Sequence, residues 1–455
     1  MGDLMVSLTF YGGAGEIGGN KILLEDKGVK IYLDFGEGFG FGEEFFYEYL
    51  SPRKANGLEV YFEFNLVPKV PKLYSQKMLK LTELKFEKPD IDAVFISHSH
   101  CDHTGHLPFL DESIPIYMGH GTKHILDIAH TVYRSFYDVG EHNEINTFKS
   151  GDKIKIKHLV IEPIHVEHSI PGAYGYIIHT SKGAVVYTGD FRLHGPMKSM
   201  SEEFIKKAAE AKPIALLCEG TRMAYETEKN YTEKDVEDKA SEIIKKSKGL
   251  VMAYWSMTGI DRFKSFYNAA IKNKRILVID PRLAYIIDNL KEKIELPDVM
   301  TDKNIKVYFR LEKSCNFDEM DYKPIERKYC PRMVNYEELT KNPKKYVLHL
   351  GFNRLMELCY LKPKNSDFIF SMSEHFLEGE ENEEEKEIWE NWMQHFGIKF
   401  HKAHCSGHAS KQDIIETVKK ISPKILIPIH TQSPEEFRKI HNNVKIMKNL
   451  EVVNL

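Results

Sequence analysis

A short stretch of the chain concentrates side chains that bind transition metals in proteins. Within nine residues it holds four histidines and one aspartate, namely His98, His100, Asp102, His103 and His106. Imidazole together with carboxylate is the ligand set suited to Zn²⁺ and similar ions. Because burial of unpaired polar groups is costly, a core would not gather so many of them without a purpose. We therefore predict a metal site here, with His106 either a partner of the ligands or a surface residue.

The spacing within this stretch indicates which side chains can share a metal. In an extended segment, His98, His100 and Asp102 face one side. A helix that begins at Thr104 would let His103 turn towards the same side.

Two ions need more ligands than this stretch provides, and His168, Asp190 and His430 can supply them. A carboxylate such as Asp190 can bridge two ions about 3.5–4 Å apart. Such a pair of ions stabilises the attacking and leaving oxygens and lowers the pKa of water. The predicted chemistry is therefore metal-dependent hydrolysis.

Several short runs rich in Val and Ile stop at side chains that can bind a metal. Runs of this length predict buried strands, and ligands commonly gather on the loops beyond strand carboxyl ends. The residues in question are Asp34, His98, His165, His168, Asp190, Glu219 and His430. Capping-box patterns at Thr232–Asp235 and Ser410–Asp413 predict helices among these strands. The mixture indicates an α/β fold.

The composition of the chain narrows its class and setting. It has 455 residues and a formal net charge of −4, so a nucleic-acid partner would need a local basic groove. Six scattered cysteines without a CxxC pair favour a reducing, cytoplasmic setting. We find neither a signal peptide nor an apolar run long enough to cross a membrane.

The ordered motifs resemble those of a known fold. The pattern His-x-His-x-Asp-His at 98–103, followed by His168 and Asp190 and preceded by Asp34, resembles the metallo-β-lactamase fold. Three later residues, Glu219, His408 and His430, resemble the extra motifs of the β-CASP nucleases. The strings Ser406-Gly-His408-Ala-Ser410 and His168-Ser-Ile-Pro are similar to ribonuclease J and its archaeal relatives.

The resemblance implies a role for each of these residues. It implies two Zn²⁺ ions, with Mn²⁺ as the alternative. One ion would be held by His98, His100 and His168, and the other by Asp102, His103 and His430. Asp190 would bridge the ions, Asp34 would orient the groups that bind them, and Glu219 would hold His408, which acts on the leaving oxygen. The implied catalytic residues are His408, Asp102, Glu219 and Asp190.

The resemblance also implies an αββα sandwich with an inserted β-CASP domain. The expected boundaries are 1–215 for the metallo-β-lactamase domain, 216–400 for the β-CASP domain and 401–455 for the return to the first domain. Residues 43–88 are rich in aromatics, Lys and Leu, and they indicate an insertion with its own structure, such as a lid.

The favoured activity is hydrolysis of single-stranded RNA from its 5′ end, with Ser406 and Ser410 as a pocket for the terminal phosphate. The alternatives are an RNA endonuclease, a DNA nuclease of the same family, and a nucleic-acid-binding subunit without catalysis. A homodimer is compatible with the resemblance. Two departures bear on the substrate. Residues 347–352 replace a Thr-Gly-Ser-Gln-type stretch, and Glu219-Gly-Thr221 replaces Asp-Ser-Thr.

Three further groups of residues each allow two interpretations. The glycine loop 12–19 either binds a nucleotide or, as we favour, lies beside the metal site. Basic side chains at Arg222, Arg262 and Lys411 either contact phosphates or form ordinary salt bridges. The aromatic residues Tyr254, Trp255 and Phe263 either stack on bases or, as we favour, pack in the core.

Overall fold

A computed structural model describes residues 5–40, 42, 44–46, 50–133, 137–225, 230–373 and 383–455. The chain divides into two compact units. The first combines Met1–Lys229 with Gly407–Leu455, and the second is Asn230–Ser406. The second unit is therefore an insertion within the sequence of the first.

The described part of the first unit contains two mixed sheets. The first sheet consists of β1 (Ser7–Gly12), β2 (Lys21–Asp26), β3 (Val29–Leu33), β4 (Ala93–Ile96), β5 (Ile116–Gly119), β6 (Ile145–Phe148) and β20 (Val452–Asn454). Its strand order is β20-β1-β2-β3-β4-β5-β6. The strands from β20 to β3 pair antiparallel, and those from β3 to β6 pair parallel.

The second sheet consists of β7 (Ile154–Ile156), β8 (Leu159–Val166), β9 (Ala173–His179), β10 (Ala184–Tyr187), β11 (Ala215–Glu219) and β19 (Ile425–Ile429). Its order is β19-β11-β10-β9-β8-β7. Strands β10, β11 and β19 are parallel, and β9 is antiparallel to both β8 and β10. Strand β8 consequently runs in the same direction as β10, β11 and β19.

Strand periodicity explains how the two sheets and their helices form layers. In β4, Ala93 and Phe95 face the core between the sheets, whereas Val94 and Ile96 face the opposite side. Successive side chains of a strand point to opposite faces, so a strand that is apolar at every position is buried on both.

The outer faces of the two sheets are covered by helices. The helices of the first unit are α1 (Glu59–Glu63), α2 (Gln76–Leu79), α3 (Cys101–Thr104), α4 (His120–Val132), α5 (Ser199–Glu210) and α13 (Lys411–Ile421). Residues of α1, α2 and α4 share a core with the outer face of the first sheet, and residues of α5 and α13 cover the second. The predicted αββα sandwich is confirmed.

The predicted insertion at 43–88, whose residues 43 and 47–49 lie outside the described ranges, packs against the first sheet. Leu58, Tyr61 and Leu73 are fully or almost fully buried in the same core as Tyr32 and Val94. The described part of this segment therefore belongs to the helical layer of the first unit rather than to a separate body.

The second unit contains a seven-stranded sheet, counted over its described residues, in which every pairing is parallel. Its strands are β12 (Val251–Tyr254), β13 (Ile276–Ile279), β14 (Ile305–Tyr308), β15 (Met333–Val334), β16 (Tyr346–His349), β17 (Asp367–Phe370) and β18 (Lys399–Lys402). Its helices are α6 (Glu233–Lys246), α7 (Ile260–Lys272), α8 (Pro281–Leu290), α9 (Pro324–Arg327), α10 (Tyr336–Lys341), α11 (Leu358–Leu361) and α12 (Glu383–Phe396).

Several sequence predictions for the second unit can be compared with its structure. Thr232 forms the predicted capping box at the start of α6. Trp255 and Phe263 are buried, which confirms core packing for both. Arg262 is also buried and forms an ion pair with Glu233 at 2.9 Å, so it is a structural residue. Across the described ranges, every helix is too short or too polar to cross a lipid bilayer.

Candidate active site

The candidate active site lies where parallel-running strands of the first unit end. Strands β3 and β4 run in one direction within the first sheet, and β8, β10, β11 and β19 share one direction within the second. The polar residues at or just beyond the carboxyl ends of these strands are Asp34, His98, His168, Asp190, Glu219 and His430. Loops at strand carboxyl ends are held rigidly by the sheet, which is why ligands can be gathered there.

The helix in the histidine-rich stretch begins before Thr104, the start that the sequence analysis considered. It is a single turn from Cys101 to Thr104, so both Asp102 and His103 lie on it. The carbonyl of His100 accepts hydrogen bonds from the backbone N–H groups of His103 and Thr104 and from the Thr104 hydroxyl. These bonds close the turn at His100, so the helix ends at Thr104, the residue at which the sequence analysis let a helix begin.

Three imidazoles form the first group of potential ligands. His98 Nε2 lies 2.9 Å from His100 Nδ1, and His168 Nε2 lies 3.1 Å from the same atom. Burial lowers the pKa of His100 to about 4 and also lowers the pKa values of His98 and His168 well below the ordinary range. Neutral rings present lone pairs, and lone pairs that converge on one point suit a cation.

Two aspartates and two histidines form the second group: Asp102, His103, Asp190 and His430. His430 Nε2 lies 3.0 Å from Asp102 Oδ2, and His103 Nε2 lies 3.3 Å from Asp190 Oδ2. Burial opposes a charge on His103, but the carboxylates of Asp190, Asp102 and Asp34 outweigh it and raise its pKa. Concentrated carboxylate charge of this kind attracts a cation as readily as it attracts a proton.

Asp190 lies between the two groups. Its Oδ2 is 3.5 Å from His430 Nε2 and 3.7 Å from His98 Nε2, so one carboxylate reaches a member of each group. Its Oδ1 is buried and, within the described part of the chain, has no hydrogen-bond partner. An unpartnered carboxylate oxygen in a protein interior is costly, and a bound cation would satisfy it. The donor set thus fits a divalent metal centre.

The outward ring nitrogens of the histidines have their own partners. Gly407 O lies 2.7 Å from His168 Nδ1, and Asp34 Oδ2 lies 2.7 Å from His103 Nδ1. Acceptors at Nδ1 place the proton there and leave Nε2 free to bind a metal. The contact between Asp34 and His103 is the kind of contact that Asp34 would need in order to orient a metal-binding ring, the role predicted for it.

Asp34 is itself held by the chain around it. Its carboxylate accepts hydrogen bonds from the backbone N–H and the hydroxyl of Ser97, at 2.6 and 2.7 Å, and from the hydroxyl of Tyr187. Asp34 has φ +58° and His430 has φ +50°, a conformation that non-glycine residues seldom adopt. Strain of this kind persists where the surroundings fix a functional geometry.

The glycine loop lies against the predicted ligands, as expected. A Cβ on Gly18 would lie 2.8 Å from the Cβ of Asp102, so a side chain there would displace this carboxylate. Gly13 O accepts a hydrogen bond from the backbone of His430 at 2.8 Å. Loop 12–19 therefore lies beside residues of the predicted metal site, as the favoured interpretation expected.

His408 and Glu219 form a pair beside the ligand groups. His408 Nδ1 lies 3.3 Å from Glu219 Oε1, and its ring centre lies 5.0 Å from that of His168. Burial lowers the pKa of His408, but the carboxylates of Glu219 and Asp190 outweigh this effect and raise it to about 9. Without bound metal, the imidazole is thus protonated at neutral pH. His408 also lies within reach of Asp190 and His168 as a possible third group of ligands.

Several other predicted residues lie outside this arrangement. His106 is buried and stacks on Phe109 with ring centres 5.0 Å apart, so the alternative that made it a surface residue is wrong. The ring centre of His165 lies 4.3 Å from that of Tyr174, and His165 is absent from the ligand groups found among the described residues. Lys411 forms a salt bridge with Glu436 at 3.0 Å.

The two predicted phosphate-binding serines fall in different units. Ser406 is the last residue of the second unit, whereas Ser410 caps α13 in the first. The Ser410 hydroxyl donates to Asp413 Oδ2 at 2.8 Å and accepts from the Asp413 backbone N–H at 3.1 Å. The hydroxyl is thus engaged in a capping box, next to a carboxylate that would repel a phosphate. The phosphate pocket stays a prediction.

Sequence reasoning missed the residues that hold the ligands in place. Ser97, Tyr187 and Thr221 each contact a predicted site residue through a hydroxyl group. Ser97 directly precedes His98, Tyr187 lies three residues before Asp190, and Thr221 lies two residues after Glu219, so proximity to a motif residue was the available signal. A hydroxyl beside a motif is too common to identify a partner without the fold.

Two family models match the chain. The Beta-lactamase superfamily domain matches residues 67–217, which include the predicted ligands from His98 to Asp190. The Zn-dependent metallo-hydrolase RNA specificity domain matches residues 398–437, which include His408 and His430.

Curated relatives with the name ribonuclease J match along much of the chain. The protein from Mycoplasma genitalium is 27% identical over 353 residues, which are 75% of this chain and 57% of the relative. The protein from Sinorhizobium meliloti is 22% identical, over 76% of this chain and 59% of the relative. Aligned residues thus span less than two thirds of these bacterial relatives. The protein from the archaeon Methanocaldococcus jannaschii is 23% identical over 94% of this chain and 91% of its own length.

A solved structure shares the fold. The crystal structure of a protein of unknown function from Enterococcus faecalis V583 aligns with a TM-score of 0.77 at 22% identity, over 99% of this chain and 100% of its own. The chain therefore carries a β-lactamase superfamily domain and a metallo-hydrolase RNA specificity domain, in that order, and it is similar to proteins of the ribonuclease J-like kind.

Proposed function

We propose that this chain is a zinc-dependent ribonuclease of the ribonuclease J type, which hydrolyses phosphodiester bonds in single-stranded RNA. The observation that carries the proposal is the position of Asp190, whose carboxylate reaches both ligand groups and lies 3.8 Å from His408 Nδ1. Two cation sites that share one carboxylate, beside an imidazole, form an arrangement suited to phosphoryl transfer. The names of the relatives support RNA as the substrate.

Two ions would be held by the two groups. His98, His100 and His168 would hold one, and Asp102, His103 and His430 the other, with Asp190 shared. Bound divalent ions supply Lewis acidity and lower the pKa of water, and Zn²⁺ suits this mixture of imidazole and carboxylate, with Mn²⁺ as the alternative.

The remaining residues act on orientation and protons. Asp34 holds the ring of His103 through Nδ1. Glu219 holds His408 in the same way and keeps its imidazole charged. A charged imidazole beside the scissile phosphate can donate a proton to the leaving oxygen, which makes His408 the general acid.

We further propose that the second unit, Asn230–Ser406, is the β-CASP domain and that the chain works in the cytoplasm. All six cysteines are described, and all are free thiols, which fits a reducing compartment.

The test is a substrate panel with the zinc-loaded chain. Single- and double-stranded RNA and DNA of one sequence are compared, with and without a chelator. We expect cleavage of single-stranded RNA that the chelator abolishes. Equal cleavage of DNA would make the chain a DNA nuclease. Binding of RNA without cleavage, at full zinc content, would identify a non-catalytic nucleic-acid-binding subunit.

A further inference from the structure

The hydroxyl of Thr221 contacts two imidazoles of the candidate active site. Thr221 Oγ1 lies 2.9 Å from His430 Nδ1 and 3.1 Å from His408 Nδ1. It also lies 3.4 Å from the carbonyl oxygen of His430. A single side-chain oxygen thus joins a proposed metal ligand to the proposed general acid.

The surroundings of each ring fix where its proton lies. His430 Nε2 faces Asp102 Oδ2 at 3.0 Å and belongs to the second ligand group. An imidazole that binds a metal through Nε2 carries its proton on Nδ1, so this N–H donates to Thr221. His408 Nδ1 faces the carboxylate of Glu219, which only accepts, so its Nδ1 is protonated as well.

These contacts use the full hydrogen-bonding capacity of a hydroxyl group. The oxygen has two lone pairs and one hydrogen. It can accept the Nδ1–H of His430 and that of His408, and it can donate to the carbonyl of His430. An apolar side chain of the same shape would leave the His430 N–H without this acceptor.

The turn that carries Thr221 is closed by hydrogen bonds from two backbone N–H groups and does not need the hydroxyl. The Thr221 backbone N–H donates to Glu219 Oε2 at 3.1 Å, and the Met223 N–H donates to the Gly220 carbonyl at 3.0 Å. Removal of the hydroxyl therefore changes the contacts to the imidazoles while the bonds that shape the turn persist.

We propose that Thr221 is a shared positioning residue, which holds the protons of His430 and His408 on Nδ1. It thereby aims His430 Nε2 at the metal and His408 Nε2 at the leaving oxygen. The part that concerns His408 rests on the function proposed above, whereas the part that concerns His430 requires only that this histidine binds a metal.

The test compares Thr221→Val, which keeps the shape, with Thr221→Ser, which keeps the hydroxyl. Thr417→Val is the matched control, because Thr417 is a buried threonine of the same unit whose hydroxyl has no partner among the described residues. Zinc affinity is measured on the full chain by titration against a competing chelator. We expect Thr221→Val to weaken the binding of one ion by roughly 10–100-fold, the usual effect of losing a partner of a metal-bound histidine. Thr221→Ser should restore the affinity, and Thr417→Val should leave it unchanged.

Turnover on RNA is the second readout, measured at saturating zinc. We expect Thr221→Val to lower kcat by roughly 10-fold with KM unchanged, a smaller loss than the 10²–10⁴-fold typical of a general acid itself. Nitrogen NMR of labelled histidines in the zinc-loaded chain should show two Nδ1–H signals that shift in Thr221→Val and return in Thr221→Ser.

Three outcomes would overturn the proposal. They are unchanged zinc affinity in Thr221→Val, a change in only one of the two imidazole signals, and failure of Thr221→Ser to restore the affinity. Should Thr221→Val not fold, Thr221→Ala replaces it in the same comparison. If the chain proves not to be a ribonuclease, the zinc titration and the NMR signals still show whether Thr221 contacts both imidazoles. Failure of the proposed function and failure of the Thr221 proposal are therefore distinguishable.

Discussion

Glu219 Oε1 lies 3.3 Å from His408 Nδ1, although 189 positions separate the two residues in the chain. Glu219 ends β11, and its Oε2 also accepts a hydrogen bond from the Thr221 backbone N–H at 3.1 Å. The carboxylate is therefore fixed on both sides and can hold the imidazole in one orientation. In the proposed mechanism, this pair serves proton transfer while other residues bind the metal ions. Proton transfer and metal binding can therefore be tested with different variants.

The metal content of the protein is the first prediction. Elemental analysis should find about two zinc ions per chain, as a two-metal site requires. Asp190→Asn should weaken the binding of both ions, because it removes the charge that both ligand groups share. Asp127→Asn, a change to an exposed carboxylate paired with Lys123, is the control and should keep full content. Full zinc content and activity in Asp190→Asn would contradict the bridging role.

Removal of His408 tests its assignment as the general acid. His408→Ala should slow turnover by roughly 10²–10⁴-fold, the usual contribution of a general acid, and should leave the zinc content nearly unchanged. His158→Ala is the matched control, since His158 pairs with Asp26 at 2.9 Å as a histidine–carboxylate pair outside the ligand groups. Loss of a zinc ion from His408→Ala would show that His408 is a ligand, the role that its distance to Asp190 also permits.

The pH dependence of kcat/KM tests the role of Glu219. A general acid acts in its protonated form, so activity should fall as the pH rises through the pKa of His408. Glu219 and Asp190 outweigh burial and raise this pKa to about 9, and bound metal would reduce the contribution of Asp190. Glu219→Gln removes one of these charges and should move the alkaline limb to lower pH. An alkaline limb at the same pH in both proteins would show that His408 does not govern it.

The mode of cleavage is tested with RNAs that differ only at the 5′ end. We predict preference for a 5′-monophosphate over a 5′-hydroxyl, and no cleavage of a circular RNA, as an exonuclease that starts at the 5′ end requires. Equal cleavage of all three would instead identify an endonuclease. The structure shows Ser410 as the cap of α13, with its hydroxyl bonded to Asp413. The comparison of 5′ ends therefore tests whether the chain recognises a terminal phosphate at all.

The sequence by itself predicted a metal site from its side chains and determined the α/β class of the fold. Ligand identity is a local property, since imidazole and carboxylate side chains bind metals wherever a backbone brings them together. The sequence also predicted where the candidate ligands lie along the strands. Buried strands are recognisable as short apolar runs, and the ends of such runs are followed by Asp34, His168, Asp190 and His430.

Only the tertiary structure decided which of these residues meet and which serve as partners. The contacts of Thr221 with His408 and His430 join positions 187 and 209 residues apart, and they exist because β11 and β19 are neighbours in one sheet. The place of residues 43–88 in the helical layer depends in the same way on packing against the first sheet. Contacts between distant segments follow from strand order and from how side chains fill the space between layers, and no local pattern encodes either.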